Sequence, residues 1–396
     1  MKLLIIHNEY SVYGGEDAVV NKFYSSLAQS GVDVKLYKVN NSSLSDLNMF
    51  GKVALFVKNF AMRSINQDLI SLLDNYKPDI VHIHNVYPLI TPRIYYEAYI
   101  RKIKIVQTLH NYRFMCPNGL MFRKGMICER CSNTSNLYYC FYKKCFRNSY
   151  LQSFWYAFMI SKAYKKGWFQ HVDKFIALNP FMISKMIEYG YKKSKLTIIP
   201  NGLSKPEKIE SIEKKNYLLY IGRLSEEKGI KTLINAINKT DFQLIVIGKG
   251  PLEQKILSLI KEKGNIQLLG FKTGEEKDRL IAEAKAVIVP SECYENLPTV
   301  VIEAFSHGVP VIASKIGGLQ YMVKENYNGY TFEAGKEMEL AEKINLLFQD
   351  NTYDKLTLGA LTSYNENYNE NIIIKKNINL YRELIENTSS IPEKNI

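Results

Sequence analysis

Short runs rich in Val, Ile and Leu alternate with helix-length amphipathic stretches along almost the whole 396-residue chain. This alternation is typical of parallel sheets covered by helices on both faces, because strands buried on both sides need continuous apolar runs. Six such runs precede residue 200, and a second series begins afresh at Tyr217. The sequence therefore predicts an α/β protein with two doubly wound sheets in two domains, which suits a length at which a single core stops growing.

The predicted strands of the first sheet are Leu3–His7, Val34–Lys38, Ile80–His84, Lys104–Leu109, Lys174–Ala177 and Thr197–Ile199. Those of the second sheet are Tyr217–Gly222, Gln243–Gly248, Ile266–Leu269, Ala286–Val289, Val309–Ala313 and Gly329–Phe332. The turn-rich stretch from Pro200 to Asn216 marks the domain boundary. We predict an N-terminal domain at 1–202 with a Cys-, Tyr- and Lys-rich insertion at 116–166, a second domain at 203–371, and a helix in 372–396 that could return to the first domain, ahead of a frayed tail.

Charge is distributed unevenly along the chain, whose net charge is +13. Residues 1–202 contain 27 Lys and Arg against 12 Asp and Glu, whereas residues 203–396 contain 25 against 27. Within the first domain, residues 101–195 alone contain 18 basic and 3 acidic side chains. A positive field confined to one region indicates an anionic partner for that region.

The most informative segment runs from Pro290 to Ala304 and places Glu295 and Glu303 on either side of a predicted helix start. The backbone N–H groups of Thr299 and Val300 would point out of that helix N-terminus, where an anion such as a diphosphate is stabilised by unpaired amides and the helix dipole. Glu303, about one turn further on, could accept hydrogen bonds from ribose hydroxyls. The alternative interpretation is that both glutamates are solvated residues on a helix face.

With seven residues between its two glutamates, this segment resembles the hallmark of glycosyltransferase family 4, retaining enzymes of the GT-B architecture. The similarity continues through the small-residue strand and turn Gly308–Gly318 and recurs from residue 1 to about 350. The resemblance implies two Rossmann-like domains facing each other across a cleft, with the acceptor in the first and a nucleotide sugar in the second. It also implies transfer with retention and a role for Glu295 in orienting the donor sugar.

Expulsion of a nucleoside diphosphate requires positive charge, and the chain contains no Asp-x-Asp pair of the kind that holds a divalent metal in the other major glycosyltransferase architecture. We therefore predict catalysis without a metal cofactor, with Arg and Lys as the neutralising groups. The resemblance assigns this role to Arg223 and Lys228, although an exposed lysine at a helix start is the alternative. Gly14 and Gly15 are predicted to let the backbone approach the donor closely, or else to be plain turn residues.

His110 follows the predicted strand Lys104–Leu109, and the resemblance places the matching histidine against the donor sugar near the reacting carbon. A buried structural histidine is the alternative. His82 and His84 alternate along their own strand and are interpreted as packing or acceptor-pocket residues. The sequence departs from the family where Asn111 and Ser204 stand, since aspartate is common at both positions.

Five cysteines fall in the insertion, four of which we single out as candidate ligands of a structural zinc ion: Cys116, Cys128, Cys131 and Cys145. A Cys-x2-Cys pair such as Cys128 and Cys131 brings two thiolates onto one ion, and two further cysteines would complete a tetrahedral site. Reduced thiols without metal and disulfides are the alternatives. The apolar run at the N-terminus is too short for a signal peptide, so we expect a reducing cytoplasm in which disulfides are rare.

Basic and aromatic residues are interleaved between Lys143 and Phe169, as on surfaces that lie at an anionic bilayer, although the aromatic residues could equally be core. No run of 18 apolar residues predicts a membrane-spanning helix. The combined prediction is an enzyme that moves a sugar from a UDP- or GDP-sugar to a glycan or lipid-linked glycan precursor in surface polysaccharide synthesis. It would be cytoplasmic and peripheral on the inner face of the plasma membrane. The rivals are a same-fold sugar-nucleotide epimerase and, for the basic charge, a nucleic-acid-binding protein, which no recognition module supports.

Overall fold

The computed structural model describes residues 1–10, 14–41, 66–134, 136–204, 213–260, 264–349 and 352–389. They contain two six-stranded sheets, each entirely parallel, and one small antiparallel hairpin. The prediction of an α/β protein with two parallel sheets is confirmed. Part of the predicted boundary, at 205–212, and the tail beyond residue 389 lie outside the described residues.

The strands of the first sheet are β1 (Lys2–Glu9), β2 (Asp33–Asn40), β3 (Ile80–Asn85), β4 (Lys104–Leu109), β7 (Lys174–Ala177) and β8 (Leu196–Ile198), and those of the hairpin are β5 (Phe122–Arg123) and β6 (Met126–Ile127). The strands of the second sheet are β9 (Tyr217–Ile221), β10 (Gln243–Ile247), β11 (Ile266–Gly270), β12 (Ala286–Val289), β13 (Val311–Ser314) and β14 (Gly329–Phe332). Burial explains the sequence pattern, because every residue of the central strand β3 is buried. The edge strand β2 instead alternates between exposed and half-buried positions.

The helices of the first domain are α1 (Gly15–Gln29), α2 (Gln67–Tyr76), α3 (Arg93–Ile100), α4 (Arg130–Asn133), α5 (Tyr139–Tyr142), α6 (Tyr150–Lys165) and α7 (Pro180–Glu188). Those that follow are α8 (Ile230–Ile237), α9 (Glu253–Leu259), α10 (Gly274–Glu283), α11 (Thr299–Ser306), α12 (Leu319–Met322), α13 (Glu337–Gln349), α14 (Tyr353–Ser363) and α15 (Glu370–Ser389). None of these helices is both long and apolar enough to cross a membrane.

Strand order sets the place where each domain can bind a ligand. The first sheet has the order β2-β1-β3-β4-β7-β8 and the second β11-β10-β9-β12-β13-β14. The order reverses between β1 and β3 in the first sheet and between β9 and β12 in the second. In open parallel sheets, ligands bind at such reversals, outside the carboxyl ends of the strands. The loops after β1 and β3 and those after β9 and β12 are therefore the expected ligand-binding edges of the two sheets.

Helix α15 follows the second domain and packs on the first sheet. Its Ile373, Ile374 and Tyr381 are buried in one apolar cluster with Leu3 and Ile5 of β1. At its start, the Glu370 carboxylate accepts hydrogen bonds from hydroxyl groups of both domains, those of Ser26 and Ser204. This helix therefore ties the two domains together on the side where its first turn lies.

The insertion at 116–166 consists of the hairpin and the helices α4, α5 and α6. In the basic and aromatic stretch of α6, Trp155, Tyr156 and Ile160 are buried in the main core of the first domain. The interpretation of these aromatic residues as core is therefore correct for that part of the stretch. The exposed tyrosines Tyr142 and Tyr150 lie instead around the turn that joins α5 to α6, with the exposed Lys143 and Arg147, whereas Lys165 and Lys166 are exposed at the far end of α6.

Candidate functional site

The loop after β12 carries a carboxylate that is paired with a lysine from the loop after β9. Lys228 Nζ donates to Glu295 Oε1 at 2.5 Å, and the Ser291 hydroxyl donates to the same oxygen at 2.7 Å. Burial is the largest single influence on both pKa values and disfavours the charged forms. The charge attraction and hydrogen bonds together outweigh it, so the pKa of Glu295 is lowered and that of Lys228 is raised from their ordinary values. The side chains of Glu295 and Lys228 remain 12% and 31% exposed, so the ion pair is held by the loop but stays partly open to solvent.

Close backbone packing fixes this loop, and glycine is required where it occurs. A Cβ atom at Gly229 would lie 1.7 Å from the Pro290 carbonyl oxygen, and one at Gly318 would lie 1.9 Å from that of Asn296. Gly229 also has a φ of +64°, which favours glycine because a Cβ atom makes that region costly. Gly229 and Gly318 thus hold the Glu295 loop in place.

Asn296 joins the two domains directly. Its side-chain amide donates to the Leu109 carbonyl at 2.6 Å, and it accepts hydrogen bonds from Asn179 Nδ2 at its backbone and side-chain oxygens, both at 2.6 Å. Leu109 ends β4 and Asn179 caps α7, so both belong to the first domain. Residue 296 lies between the two glutamates but was not singled out in the sequence, because a contact between distant segments leaves no local pattern.

Helix α11 begins at Thr299, and its first amides face the first domain. A Cβ atom at Gly15 would lie 3.8 Å from Thr299 Oγ1, which places the start of α1 against the start of α11. Thr299 and Val300 are the first two residues of α11, so their N–H groups have no acceptor within the helix. Gly14 and Gly15 both lie outside the left-handed region of φ, so their conformation does not itself demand glycine.

Glu303 is paired with a lysine that the sequence analysis did not identify. Lys277 Nζ, from α10, donates to Glu303 Oε1 at 2.9 Å, and both side chains are largely buried. The Arg223 side chain is exposed and takes part in no ion pair within the described residues.

In the first domain, Asp17 shapes the loop between β1 and α1. The buried Asp17 carboxylate contacts His7 Nε2 at 2.8 Å and accepts hydrogen bonds from the backbone N–H groups of Tyr10 and Gly14 at 3.2 and 2.9 Å. The predicted glycine loop is therefore held by an aspartate at the third residue of the helix. Residues 11–13 of this loop lie outside the described residues.

His110 lies at the end of a row of three histidine rings. The ring of His84 stacks on that of His82, with centroids 4.4 Å apart, and lies edge to edge and nearly coplanar with that of His110, with centroids 5.1 Å apart. His84 Nδ1 lies 2.7 Å from His110 Nε2. Burial lowers the pKa values of His82 and His110 from 6.5 to about 3 and that of His84 further below its ordinary value, so all three rings are neutral at physiological pH.

A second polar cluster lies beside His110 and was missed in the sequence. Tyr10 donates to Glu16 Oε2 at 2.9 Å, and Asn111 Nδ2 lies 3.4 Å from the Tyr10 hydroxyl. The Arg113 guanidinium lies over the rings of Tyr10, Tyr87 and Tyr156 at 5.3 to 6.0 Å. Asn111 thus takes part in a network that already contains the Glu16 carboxylate.

The cysteines of the insertion are all free thiols in the structure. Cys116, Cys131 and Cys140 are buried, and burial raises the pKa of Cys116 to about 11 and that of Cys131 to about 12. The Cys116 thiol lies 3.0 Å from Asn118 Oδ1 and that of Cys140 3.3 Å from the Ser153 carbonyl oxygen. Within the part of the chain that the structure describes, no three His, Cys, Asp or Glu side chains converge closely enough to hold a metal ion.

Comparison with known proteins places both domains in families. Residues 13–205 match the model described as Glycosyltransferase Family 4, and residues 204–371 match the one described as Glycosyl transferases group 1. An uncharacterized glycosyltransferase of Methanocaldococcus jannaschii is 32% identical over 47% of this chain and 52% of its own length. The amylovoran biosynthesis glycosyltransferase of Erwinia amylovora is 27% identical over 51% of this chain and 52% of its own length. The chain thus spans about half the length of these curated relatives.

Among solved structures, HepE of Anabaena in complex with UDP superposes with a TM-score of 0.66 over 97% of this chain and 100% of its own, at 16% identity. At that identity the likeness bears on the fold, and it confirms the prediction of the GT-B architecture. The two family models together extend from residue 13 to residue 371 and meet where one sheet gives way to the other. The chain therefore belongs to the glycosyltransferases of family 4, with a family 4 domain followed by a group 1 glycosyl transferase domain.

Proposed function

We propose that this chain transfers a sugar, with retention of anomeric configuration, from a nucleoside diphosphate sugar to a glycan or lipid-linked glycan precursor of a surface polysaccharide. The observation that carries the proposal is the Lys228–Glu295 pair beside the start of α11, at the strand reversal of the second sheet. Membership of the family supports the reaction class. The name of the Erwinia amylovora relative, an amylovoran biosynthesis enzyme, supports a polysaccharide product.

In the proposed reaction, the second domain holds the donor. Arg223 and Lys228 meet the diphosphate as its negative charge grows, together with the Thr299 and Val300 amides, and preorganised donors of this kind stabilise a transition state most where water is excluded. Glu303, kept in place by Lys277, accepts hydrogen bonds from the ribose. Glu295 accepts a hydrogen bond from a hydroxyl of the donor sugar, which fixes its orientation.

The acceptor is held by the first domain, and His110 contacts the donor sugar from that side of the cleft. The acceptor hydroxyl attacks from the face that the diphosphate leaves, which retains the anomeric configuration. No step in this scheme uses a metal ion, since the cationic side chains of the second domain neutralise the leaving group. Domain closure is supported by Asn296, whose contacts reach both Leu109 and Asn179.

A panel of UDP-, GDP- and ADP-sugars should identify the donor. A ligand that binds only the folded state adds about 2.7 kcal/mol to the free energy of unfolding at a concentration 100 times its Kd. The melting temperature rises as a result. We expect a shift with UDP- or GDP-sugars and, for the sugar that shifts most, release of the nucleoside diphosphate when acceptor is added. A product that is an epimerised nucleotide sugar without a new glycosidic bond would contradict the proposal.

We further propose that the enzyme works as a peripheral protein at the cytoplasmic face of an anionic membrane, where a lipid-linked acceptor lies. Around the α5–α6 turn, Tyr142 and Leu151 are 70% and 62% exposed. Tyr150 is also exposed, contacts Phe141 and lies under the Lys144 ammonium at 4.3 Å. We call Tyr142, Lys143, Lys144, Arg147, Tyr150 and Leu151 the insertion patch. Exposed aromatic rings interleaved with cations suit the boundary between lipid headgroups and acyl chains.

The insertion patch should bind vesicles that contain anionic lipid and release them as salt rises, because each nearby Lys or Arg contributes about 1 kcal/mol of attraction and salt screens it. The double variant Lys143→Glu with Lys144→Glu should lose co-sedimentation and keep donor hydrolysis. As a matched control, Lys336→Glu with Lys355→Glu reverses two exposed lysines of the second domain and should bind as the wild type does. Equal binding of the wild type to neutral and anionic vesicles would refute a charge-driven membrane site.

A structural zinc ion in the insertion stays a separate proposal. The Cys128-x2-Cys131 spacing supports it. The described thiol positions, which do not converge at metal-binding distance, fit the alternative of reduced thiols. Metal analysis of the purified protein separates the two, and no step of the proposed reaction depends on the outcome.

A further inference from the structure

We infer that His84 is a positioning residue for His110: its ring donates a hydrogen bond from Nδ1 to His110 Nε2 and thereby places the proton of His110 on Nδ1, facing the cleft. The part of the inference that concerns catalysis, in which the His110 Nδ1–H group contacts the donor sugar, rests on the proposed function. The tautomers assigned to His84 and His110 do not depend on that function. The observations that carry it are the contacts around three rings of the first sheet.

The three rings lie together because of where they stand in the sheet. His82 and His84 are two residues apart on β3, so their side chains emerge on the same face. Strand β4 runs parallel beside β3, with His82 opposite Val106, and His110 follows its last residue. The rings of His84 and His110 are within 24° of parallel. Stacking on His82 and the in-plane contact of Nδ1 with His110 Nε2 therefore hold His84 against rotation.

His82 is anchored at both nitrogens. Its Nδ1 lies 2.6 Å from the hydroxyl of Tyr381 on α15, and its Nε2 lies 2.7 Å from the hydroxyl of Thr108 on β4. Hydroxyl groups can donate or accept, so both contacts are satisfied for either tautomer of His82. The first ring of the row is thus fixed by two other elements of the fold, and His84 stacks on a rigid support.

The tautomer of His84 follows from its unpaired nitrogen. His84 is neutral and carries one N–H, and its Nε2 is buried without a hydrogen-bond partner in the described residues. A proton there would leave a buried donor without an acceptor, which native structures rarely tolerate. A proton on Nδ1 instead meets His110 Nε2 at 2.7 Å. His84 is therefore the donor and His110 Nε2 the acceptor.

The tautomer of His110 follows in turn. Because His110 is also neutral and its Nε2 accepts, its one proton is on Nδ1. No described group accepts a hydrogen bond from that nitrogen, and His110 is less deeply buried than His82 or His84. The Nδ1–H group is thus available to an oxygen of the donor sugar. His84 acts on the reaction through this orientation without contacting the sugar.

Nitrogen-15 NMR of histidine-labelled protein at neutral pH tests the inference directly, with His84 and His110 assigned from single His→Asn variants. We expect both rings to be protonated at Nδ1 and bare at Nε2. A wild-type spectrum with His110 protonated at Nε2 would overturn the inference whatever reaction the enzyme performs. This measurement does not require a known donor or acceptor.

Kinetics test the consequence. His84→Phe keeps an aromatic ring but removes the donor, so we expect kcat to fall about tenfold or more, as misorientation of a reacting group does, with little change in the donor KM. His84→Asn offers an amide N–H near the position of Nδ1 and should recover most of that loss. If both variants lose activity equally while the spectrum shows the expected tautomers, His84 serves packing alone and the positioning role is wrong. If neither variant nor wild type transfers sugar, the proposed function fails and the tautomer assignment stands.

Discussion

Lys228→Ala is expected to lower the rate of sugar transfer about 100-fold or more. The change removes a cation that meets the departing diphosphate, and loss of one preorganised electrostatic donor typically costs about 100- to 1,000-fold in kcat. The change is best measured as kcat for transfer with a saturating donor, in the presence of EDTA. Lys239→Ala, which breaks an exposed ion pair with Glu337 in the same domain, should leave the rate unchanged because such pairs contribute little.

Removing Lys228 also leaves the largely buried Glu295 carboxylate without its partner, so a loss of rate could reflect a disturbed loop. The double variant Lys228→Ala with Glu295→Gln separates the two effects, since it removes the uncompensated charge. We expect it to regain the melting temperature lost in Lys228→Ala and to stay slow. A double variant with near wild-type rate would show that Lys228 serves the loop and not the diphosphate.

Acid is expected to destabilise the first domain as the pH falls below about 6.5. Burial lowers the pKa values of His82 and His110 from 6.5 in the unfolded chain to about 3. Between these values the unfolded state binds more protons than the folded state, so the stabilisation from neutral rings is complete above about pH 6.5 and declines as the pH falls toward 3. Each such histidine contributes a slope of about 1.4 kcal/mol per pH unit.

The chain offers a reporter for this effect, because both of its tryptophans, Trp155 and Trp168, lie in the core of the first domain. Urea unfolding followed by tryptophan fluorescence between about pH 5.5 and 7.5 gives the slope for that domain alone. His110→Asn should reduce the total change in the free energy of unfolding across this range by about 1.4 kcal/mol, because the unfolded histidine takes up most of its proton within it. A free energy of unfolding that is flat or rises on acidification over this range would contradict the assignment of neutral, buried rings.

Much of the fold could be predicted from the sequence because the strands are buried on both faces and therefore leave continuous apolar runs. All twelve predicted strands are present, and Lys104–Leu109, Lys174–Ala177, Ala286–Val289 and Gly329–Phe332 have the predicted bounds. Elsewhere the ends move by one or two residues, as for the strand predicted from Val309, which begins at Val311 after Pro310. Order within a sheet could not be read, because it depends on contacts between distant segments.

The same distinction between local patterns and contacts between distant segments applies to the candidate site. Glu295, Glu303 and Lys228 were singled out because they stand at a strand end or a helix start in segments that resemble those of the family; their roles stay predictions. The partners that hold them were not found, because Lys277 and Asn296 act across a domain or across the cleft. The role of His84 was likewise invisible in the sequence, which showed only alternation along a strand. Such roles depend on which residues lie next to each other in the folded protein, and spacing along the sequence does not reveal those neighbours.

The position of α15 has a consequence for biosynthesis on the ribosome. The first sheet buries Ile373, Ile374 and Tyr381, which are translated only after the whole second domain. At about 5–20 residues per second, the intervening 203–369 takes roughly 10–30 s to emerge. Throughout that interval the nascent first domain exposes the apolar surface that α15 will cover and His82 lacks the Tyr381 hydroxyl. The first domain is thus synthesised first but completes its core last, so we expect a chaperone to bind its exposed apolar surface during translation.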